Sequence, residues 1–378
     1  MELRLDTSKV YAIALEGGGA KGGYEIGVWQ ALEEAGVRYA AVSGTSVGAL
    51  NGALMAMRDF PKAVEAWSNI RMSSIVAVSE SEEGDLKKLF GGAMPIGELP
   101  EYLPKLLSLL KNRGMDIAPM RAWMRAVIEP ERIRSSDVAL FVTTVSLSDR
   151  KGIEVKVNDL LTDDAVFDML LASAYHPAFK NEPLSDGKQY LDGGAFDSLP
   201  LHVLVENGYK DIIGVRLPGG LGIERRFDLP ADVHVSIIKP EIDLGGALDF
   251  DADRAKYHLR VGYFDAKRLL YGLYGKRYYV ERTLSDRNAL DWLLGRYERD
   301  AEIPRLRTLI EQTLPAEARR LNVREGDYYE LMIATLEEEA LARGVEPLCI
   351  RTDRAMMRAV SDADLARRKA DAQAAAKV

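Results

Sequence analysis

Six short apolar runs, "YAIAL", "YAAVSG", "VALFVTTVSL", "GIEVKV", "DIIGVRL" and "VHVSIIKP", alternate with helical patterns through the first two thirds of this chain. A strand that leads into a helix and then into another strand returns to the sheet as a crossover, which makes neighbouring strands parallel. The alternation therefore predicts an α/β fold, a mainly parallel central sheet flanked by helices. From about Leu284 the strand-like runs stop. The segments "DRNALDWLLGRYERD", "PRLRTLIEQTLP" and "DYYELMIATLEEEALARG" predict a helical C-terminal extension. In the last of them Tyr328, Met332, Leu336 and Ala340 share one face, and Gly344 supplies a helix stop. The tail "DADLARRKADAQAAAKV" reads as a frayed helix or disorder.

Composition removes several function classes. At 378 residues, 47% hydrophobic and 29% charged, the chain can bury a full core as one large domain or two ordinary ones. A net charge of −8 argues against nucleic acid as the principal partner, because phosphate backbones are bound by an excess of Lys and Arg. The single cysteine, Cys349, reads as a small buried apolar residue and cannot form an internal disulfide. The start "MELRLDTSKVYAIAL" lacks the apolar core of a secretory signal, and no window offers ~18 apolar residues for a membrane span, so the expected location is cytoplasmic.

Between the first strand and a helix closed by Gly36 lies "EGGGAKGG", in which Gly17, Gly19 and Gly22 spell GxGxxG. That is the spacing of a dinucleotide loop, in the right context, but the second strand lacks the acid that would hold a ribose. It ends instead in "GTSVGALNGALMA", with Gly44, Ser46 and Gly48 in the pattern GxSxG before a helix of small residues. A nucleophilic serine needs such a strained strand-to-helix turn, because bulkier neighbours two positions away would strike backbone. Adjacent parallel strands ending in these two loops would let the N–H groups of Gly17, Gly18 and Gly19 face Ser46 as an oxyanion hole.

The serine then needs a base. Of His176, His202, His234 and His258, the last three stand after the serine and a possible acid, yet none sits in a setting suited to the task. Asp192, in "QYLDGGAFDSLPL", is the other candidate: a carboxylate in a dry site gains basicity, and Gly193 and Gly194 keep its loop slim.

The ordered set "GGGAKG", "GTSVG" and "DGG", with "ASAYHPAF" before the last, resembles the patatin-like phospholipase family over roughly Val10 to Pro218. The resemblance implies a lipid acyl hydrolase with Ser46 as nucleophile, Asp192 completing a dyad without histidine, and Gly17, Gly18, Gly19 and Gly22 in the oxyanion motif. It implies an acyl lipid substrate and neither cofactor nor metal, and no metal-ligand pattern stands in the sequence. Two features depart from the family. His176 replaces a small or apolar residue and is expected to line the pocket. "AFDSLP" replaces asparagines with Asp197 and Ser198, and a second carboxylate beside Asp192 would push its pKa up.

Residues 1–283 are accordingly expected to form the catalytic domain, with a cap inserted at 70–124, and 284–378 the helical region. Within the insert Leu106, Leu110 and Trp123 are candidate acyl-chain contacts, the alternative being helices that simply pack into the core. "FDAKRLLYGLYGKRYYVER" interleaves basic and aromatic residues and is a candidate for peripheral membrane contact. Two other readings stand beside the hydrolase: a non-catalytic lipid-binding or scaffold protein on the same fold, and a dinucleotide-binding oxidoreductase.

Overall fold

The computed structural model describes residues 1–78, 114–218, 222–298 and 306–375. The chain divides into two compact units, Asp6–Ala266 and Met1–Leu5 with Lys267–Val378.

The first unit is built on a seven-stranded sheet. Strands β1 (Val10–Leu15), β2 (Arg38–Thr45), β3 (Ala139–Ser146), β4 (Lys151–Lys156), β5 (Tyr190–Asp192), β6 (Asp211–Val215) and β7 (His234–Ile238) lie in the order β4-β3-β2-β1-β6-β7, with β5 also paired to β3. Five of them, β3, β2, β1, β6 and β7, run parallel, while β4 and β5 are antiparallel to β3. All six runs singled out in the sequence are strands. β1 is buried from Tyr11 to Leu15, as expected of a parallel strand covered on both faces. The order reverses direction at β1, which has β2 on one side and β6 on the other, and such a switch point opens a crevice at the strand ends.

Helices α1 (Gly23–Glu34) and α2 (Val47–Ala56) follow β1 and β2. Nine of the twelve residues of α1 are buried, as are all ten of α2, so both are interior helices without a solvated stripe. α3 (Phe60–Ser68) is capped by Asp59, whose carboxylate accepts from Lys62 N, and its Phe60 meets Trp29 edge-to-face at 5.3 Å. α4 (Ala118–Val127) buries Met120 and Met124, and α5 (Asp163–Ser173) leads toward β5, with α6 (Leu201–Glu206) following it. The long helix α7 (Ala252–Tyr271) touches α1 backbone to backbone: a Cβ on Gly27 would lie 1.8 Å from Leu259 O, and one on Gly262 2.0 Å from Tyr24 O. Contacts this close require glycine.

The division between the units falls inside α7, ahead of the boundary at Leu284 that the end of the strand-like runs suggests. In the second unit α8 (Asp286–Glu298), α9 (Leu314–Arg320), α10 (Tyr328–Ala342) and α11 (Asp353–Ala375) surround a core containing Tyr278, Tyr329, Met332 and Leu336. Gly344 has φ +68° and follows α10, where Val345 N closes back on Ala340 O at 3.0 Å, the helix stop its position suggests. The expectation that strands end by Leu284 is corrected here. β8 (Tyr279–Glu281) pairs in parallel with β9 (Ile350–Thr352), and both are three residues long, too short for an alternation pattern to reveal. The tail continues α11 as helix as far as Ala375. Cys349 is only half-buried.

The segment considered for membrane contact is partly buried. Leu270, Tyr278 and Tyr279 are buried, Arg268 stacks over Tyr279 at 4.5 Å, and Arg282 over Tyr329 at 4.3 Å. Phe264, Tyr271 and Tyr274 are half-buried, and Lys276 and Arg277 are exposed. Among the described residues no helix is long and apolar enough to cross a membrane.

Candidate active site

β3 brings the two catalytic candidates together. Its Thr143 pairs with Thr45, the last residue of β2, and its next residue, Thr144, pairs with Asp192, the last of β5. β5 thus takes up the place beside β3 that β2 vacates, and Ser46 and Asp192 meet at the junction. Ser46 Oγ donates to Asp192 Oδ2 at 2.6 Å.

Ser46 holds φ +57° and ψ −122°, a conformation unusual for a side-chain-bearing residue and worth about 1–3 kcal/mol of strain. The glycines of the motif make it possible. A Cβ on Gly44 would lie 2.2 Å from Gly48 O, and one on Gly48 2.4 Å from Leu15 O. The turn is also held by a residue that the sequence reading did not single out, although it lies within "ASAYHPAF". Ser173 Oγ accepts from Ser46 N at 2.9 Å and donates to Thr143 O at 2.7 Å. Its position four residues ahead of a proline in an ordinary helix end carries no local signal.

Asp192 accepts a second bond, from Gly194 N at 2.8 Å, and its own N–H donates to Tyr175 O at 3.0 Å. Burial pushes its pKa up to about 6, against the opposing bonds from Ser46 and Gly194. The expectation that Asp197 would raise it is corrected: burial does so, and Asp197 is itself pushed up to about 7 mainly by burial. Asp197 contributes its backbone carbonyl, which accepts from Thr45 Oγ1 at 2.8 Å. Ser198 Oγ donates to Glu16 Oε1 at 3.3 Å, tying this loop to the glycine loop.

In the glycine loop the four candidate donors separate. Gly17 N–H donates to Ser198 O at 3.0 Å and Gly22 N–H to Gly19 O at 3.1 Å, so both are spent on holding the loop. Gly18 and Gly19 have no N–H acceptor among the described residues. The loop lies against the serine, since a Cβ on Gly17 would be 3.2 Å from Ser46 Cβ. It is clamped from behind, where Ala20 N donates to Ala247 O at 2.7 Å. Val47, the first residue of α2, adds an N–H with no intrahelical acceptor at the positive end of that helix.

Ser46, Asp192, Val47 and the loop from Gly17 to Gly19 open on one pocket of about 520 Å³, in which Leu50, Trp67, Met120, Trp123, Phe179 and Leu248 contribute apolar walls. Trp123 and His176 line it as the sequence suggested, whereas Leu106 and Leu110 lie outside the described residues. His176 Nδ1 accepts from Ala178 N at 3.2 Å, and burial lowers its pKa, so the neutral ring carries its proton on Nε2. No histidine bonds Ser46. His202 faces Glu206 at 3.2 Å, His234 is exposed on β7, and His258 is buried and pushed down to about 4 by burial. Among the described residues Glu154, His202 and Glu206 have ligand-type atoms within 4.8 Å of one another, but Arg225 stands 3.6 Å from Glu154 and supplies the positive charge there.

Comparison with known proteins supplies the family. The chain belongs to the patatin-like phospholipase family, whose model matches residues 13–205. Mouse patatin-like phospholipase domain-containing protein 7 is 45% identical over 212 residues, 56% of this chain and 14% of that protein. Lysophospholipase nte1 of Aspergillus terreus is 54% identical over 44 residues, 12% of this chain and 3% of that protein. The chain thus spans a small fraction of the length of these relatives. Among solved structures, VipD from Legionella pneumophila aligns over 88% of this chain and 80% of its own, with 14% identity and a TM-score of 0.37.

Proposed function

We propose that the protein is a serine lipid acyl hydrolase that cleaves carboxylic ester bonds of phospholipids or lysophospholipids through a Ser46–Asp192 dyad. The single observation that carries this reading is the 2.6 Å bond from Ser46 Oγ to Asp192 Oδ2, made by a carboxylate whose burial raises its proton affinity. Asp192 takes the hydroxyl proton as Ser46 Oγ attacks the ester carbonyl carbon. The carbonyl oxygen becomes an oxyanion, which the free N–H groups of Gly18 and Gly19 receive. Asp192 then gives its proton to the leaving alcohol as the C–O bond breaks, leaving an acyl group on Ser46. A water molecule, deprotonated by Asp192, attacks that acyl carbon, and the proton returns to Ser46 as the fatty acid leaves. The apolar pocket suits an acyl chain, and the names of the relatives point to the same substrate class.

The test is hydrolysis of a p-nitrophenyl acyl ester and of a lysophospholipid by wild type, Ser46→Ala and Asp192→Asn. Each substitution is expected to lower kcat by ~10³-fold or more, with the fold retained by circular dichroism. Turnover at the wild-type rate in either variant removes that residue from the mechanism.

A further inference from the structure

A buried polar cluster lies behind the glycine loop and is not used by the chemistry above. Asn51, on α2 one turn beyond the nucleophile, is fully buried, as are Glu25 on α1 and Trp67 on α3. Asn51 Nδ2 donates to Gly22 O at 3.0 Å and to Glu25 Oε2 at 2.7 Å, and Asn51 Oδ1 accepts from Trp67 Nε1 at 2.8 Å. A buried polar side chain with this many partners specifies one arrangement, since any other leaves donors or acceptors unmet in a dry interior. The amide orientation is fixed chemically: indole N–H can only donate, so the amide oxygen must face Trp67 and the NH₂ must face Gly22 and Glu25.

We propose that Asn51 is a positioning residue that sets the oxyanion loop relative to the nucleophile, with Trp67 and Glu25 holding its amide in register. The inference rests on the Ser46–Asp192 reading. Three connections support it. Gly22 closes the short turn that begins at Gly19, because its N–H bonds Gly19 O, so a tether on Gly22 O fixes the residue whose N–H is free for the oxyanion. Asn51 belongs to the helix that starts at Ser46, so loop and nucleophile are referred to one rigid element. Gly22 is also packed too tightly to shift alone, since a Cβ there would lie 2.4 Å from Trp67 and 2.5 Å from Val47. Trp67 and Val47 both line the pocket, so the network joins its apolar wall to the loop.

Glu25 fits this role as a neutral acid. Burial pushes its carboxyl well above the usual carboxylate range, and the negative charge of Glu16 adds to the effect. A neutral carboxyl accepts from Asn51 through its carbonyl oxygen without placing an unpaired charge behind the loop.

Steady-state kinetics on the p-nitrophenyl ester, with the full chain, separates the possibilities. Asn51→Asp is isosteric but sets an acceptor against Gly22 O. It is expected to lower kcat by ~10–100-fold with KM within about threefold, because misplacement of the loop affects the transition state more than acyl-chain binding. Trp67→Phe removes the donor while keeping an aromatic wall and is expected to lower kcat by roughly 3–10-fold at similar KM. Glu25→Gln preserves the accepting oxygen and should stay within about threefold of wild type. If Asn51→Asp does not fold, Trp67→Phe alone decides. Wild-type kcat in folded Asn51→Asp or Trp67→Phe, or a loss confined to KM, overturns the inference. Ser46→Ala runs in parallel: if it is inactive while Asn51→Asp is fully active, only the positioning role fails, and if it turns over normally, the dyad and the inference built on it fail together.

Discussion

Asp192 in the first unit and Asp353 in the second are both withdrawn from bulk water, and their proton affinities move in opposite directions. Asp353 has no solvent exposure, whereas Asp192 is partly accessible through the pocket, yet it is Asp192 whose pKa rises. Burial pushes both upward; at Asp353 the donors together outweigh it, and at Asp192 they do not. Asp353 accepts from Thr283 N at 2.7 Å, Leu284 N at 2.8 Å, Tyr329 Oη at 3.0 Å, Arg354 N at 2.8 Å and the Thr283 hydroxyl. Together they hold its carboxyl below the usual range. Asp192 has two donors, Gly194 N and the serine hydroxyl whose proton it is proposed to take. A carboxylate wrapped in donors is a structural anchor, and one left short of them can serve as a base.

The same substitution at the two sites should therefore have opposite effects on stability. Asp353→Asn sets amide N–H groups against donors whichever way it turns, and should destabilise by about 3 kcal/mol in chemical denaturation. A neutral result would mean that the donors around Asp353 do not matter. Asp192→Asn can keep both bonds, donating to Ser46 and accepting from Gly194, while removing a charge that is costly to bury. Because the folded pKa of Asp192 lies above its unfolded value, the protonated form stabilises the fold at low pH. That contribution is lost as pH rises through about 6. At pH 8 the amide should accordingly be more stable than wild type by on the order of 1–3 kcal/mol, and the gain should vanish near pH 4. Asp353 has the reverse sign, contributing stability that is lost as pH falls below the ordinary carboxylate range. The smallest effect concerns the support of the turn. Ser173→Ala frees the Ser46 N–H and should lower kcat by ~10-fold, with the pH midpoint of activity unchanged. A shifted midpoint would mean that Ser173 acts on the base instead.

The parallel sheet and the two glycine-rich strand ends were legible because continuous apolar runs and obligatory glycines are local signals. Ser46 and Asp192 could be selected for the same reason, since their motifs encode close approach of backbone to backbone. What pairs with what was not legible. The lateral placement of β5 against β3, which brings Asp192 to Ser46, depends on a register between residues nearly fifty positions apart. The sorting of the loop's N–H groups depends on Ser198 and Ala247, distant in sequence and without a motif. Ser173 and Asn51 look like ordinary small polar residues until their partners are placed. The pattern of segment 264–282 does not discriminate: basic and aromatic residues interleave both in a membrane-facing helix and where arginines stack on tyrosines.

Activation of Ser46 by Asp192 can be read from the rate at which a fluorophosphonate probe labels the protein across about pH 5 to pH 8, for wild type and Asp192→Asn. Modification is expected at Ser46 alone, with a wild-type rate that rises to half its maximum near pH 6 as Asp192 loses its proton, and almost no labelling of the variant. Labelling of Asp192→Asn at the wild-type rate, or a rate flat across that range, would contradict that activation.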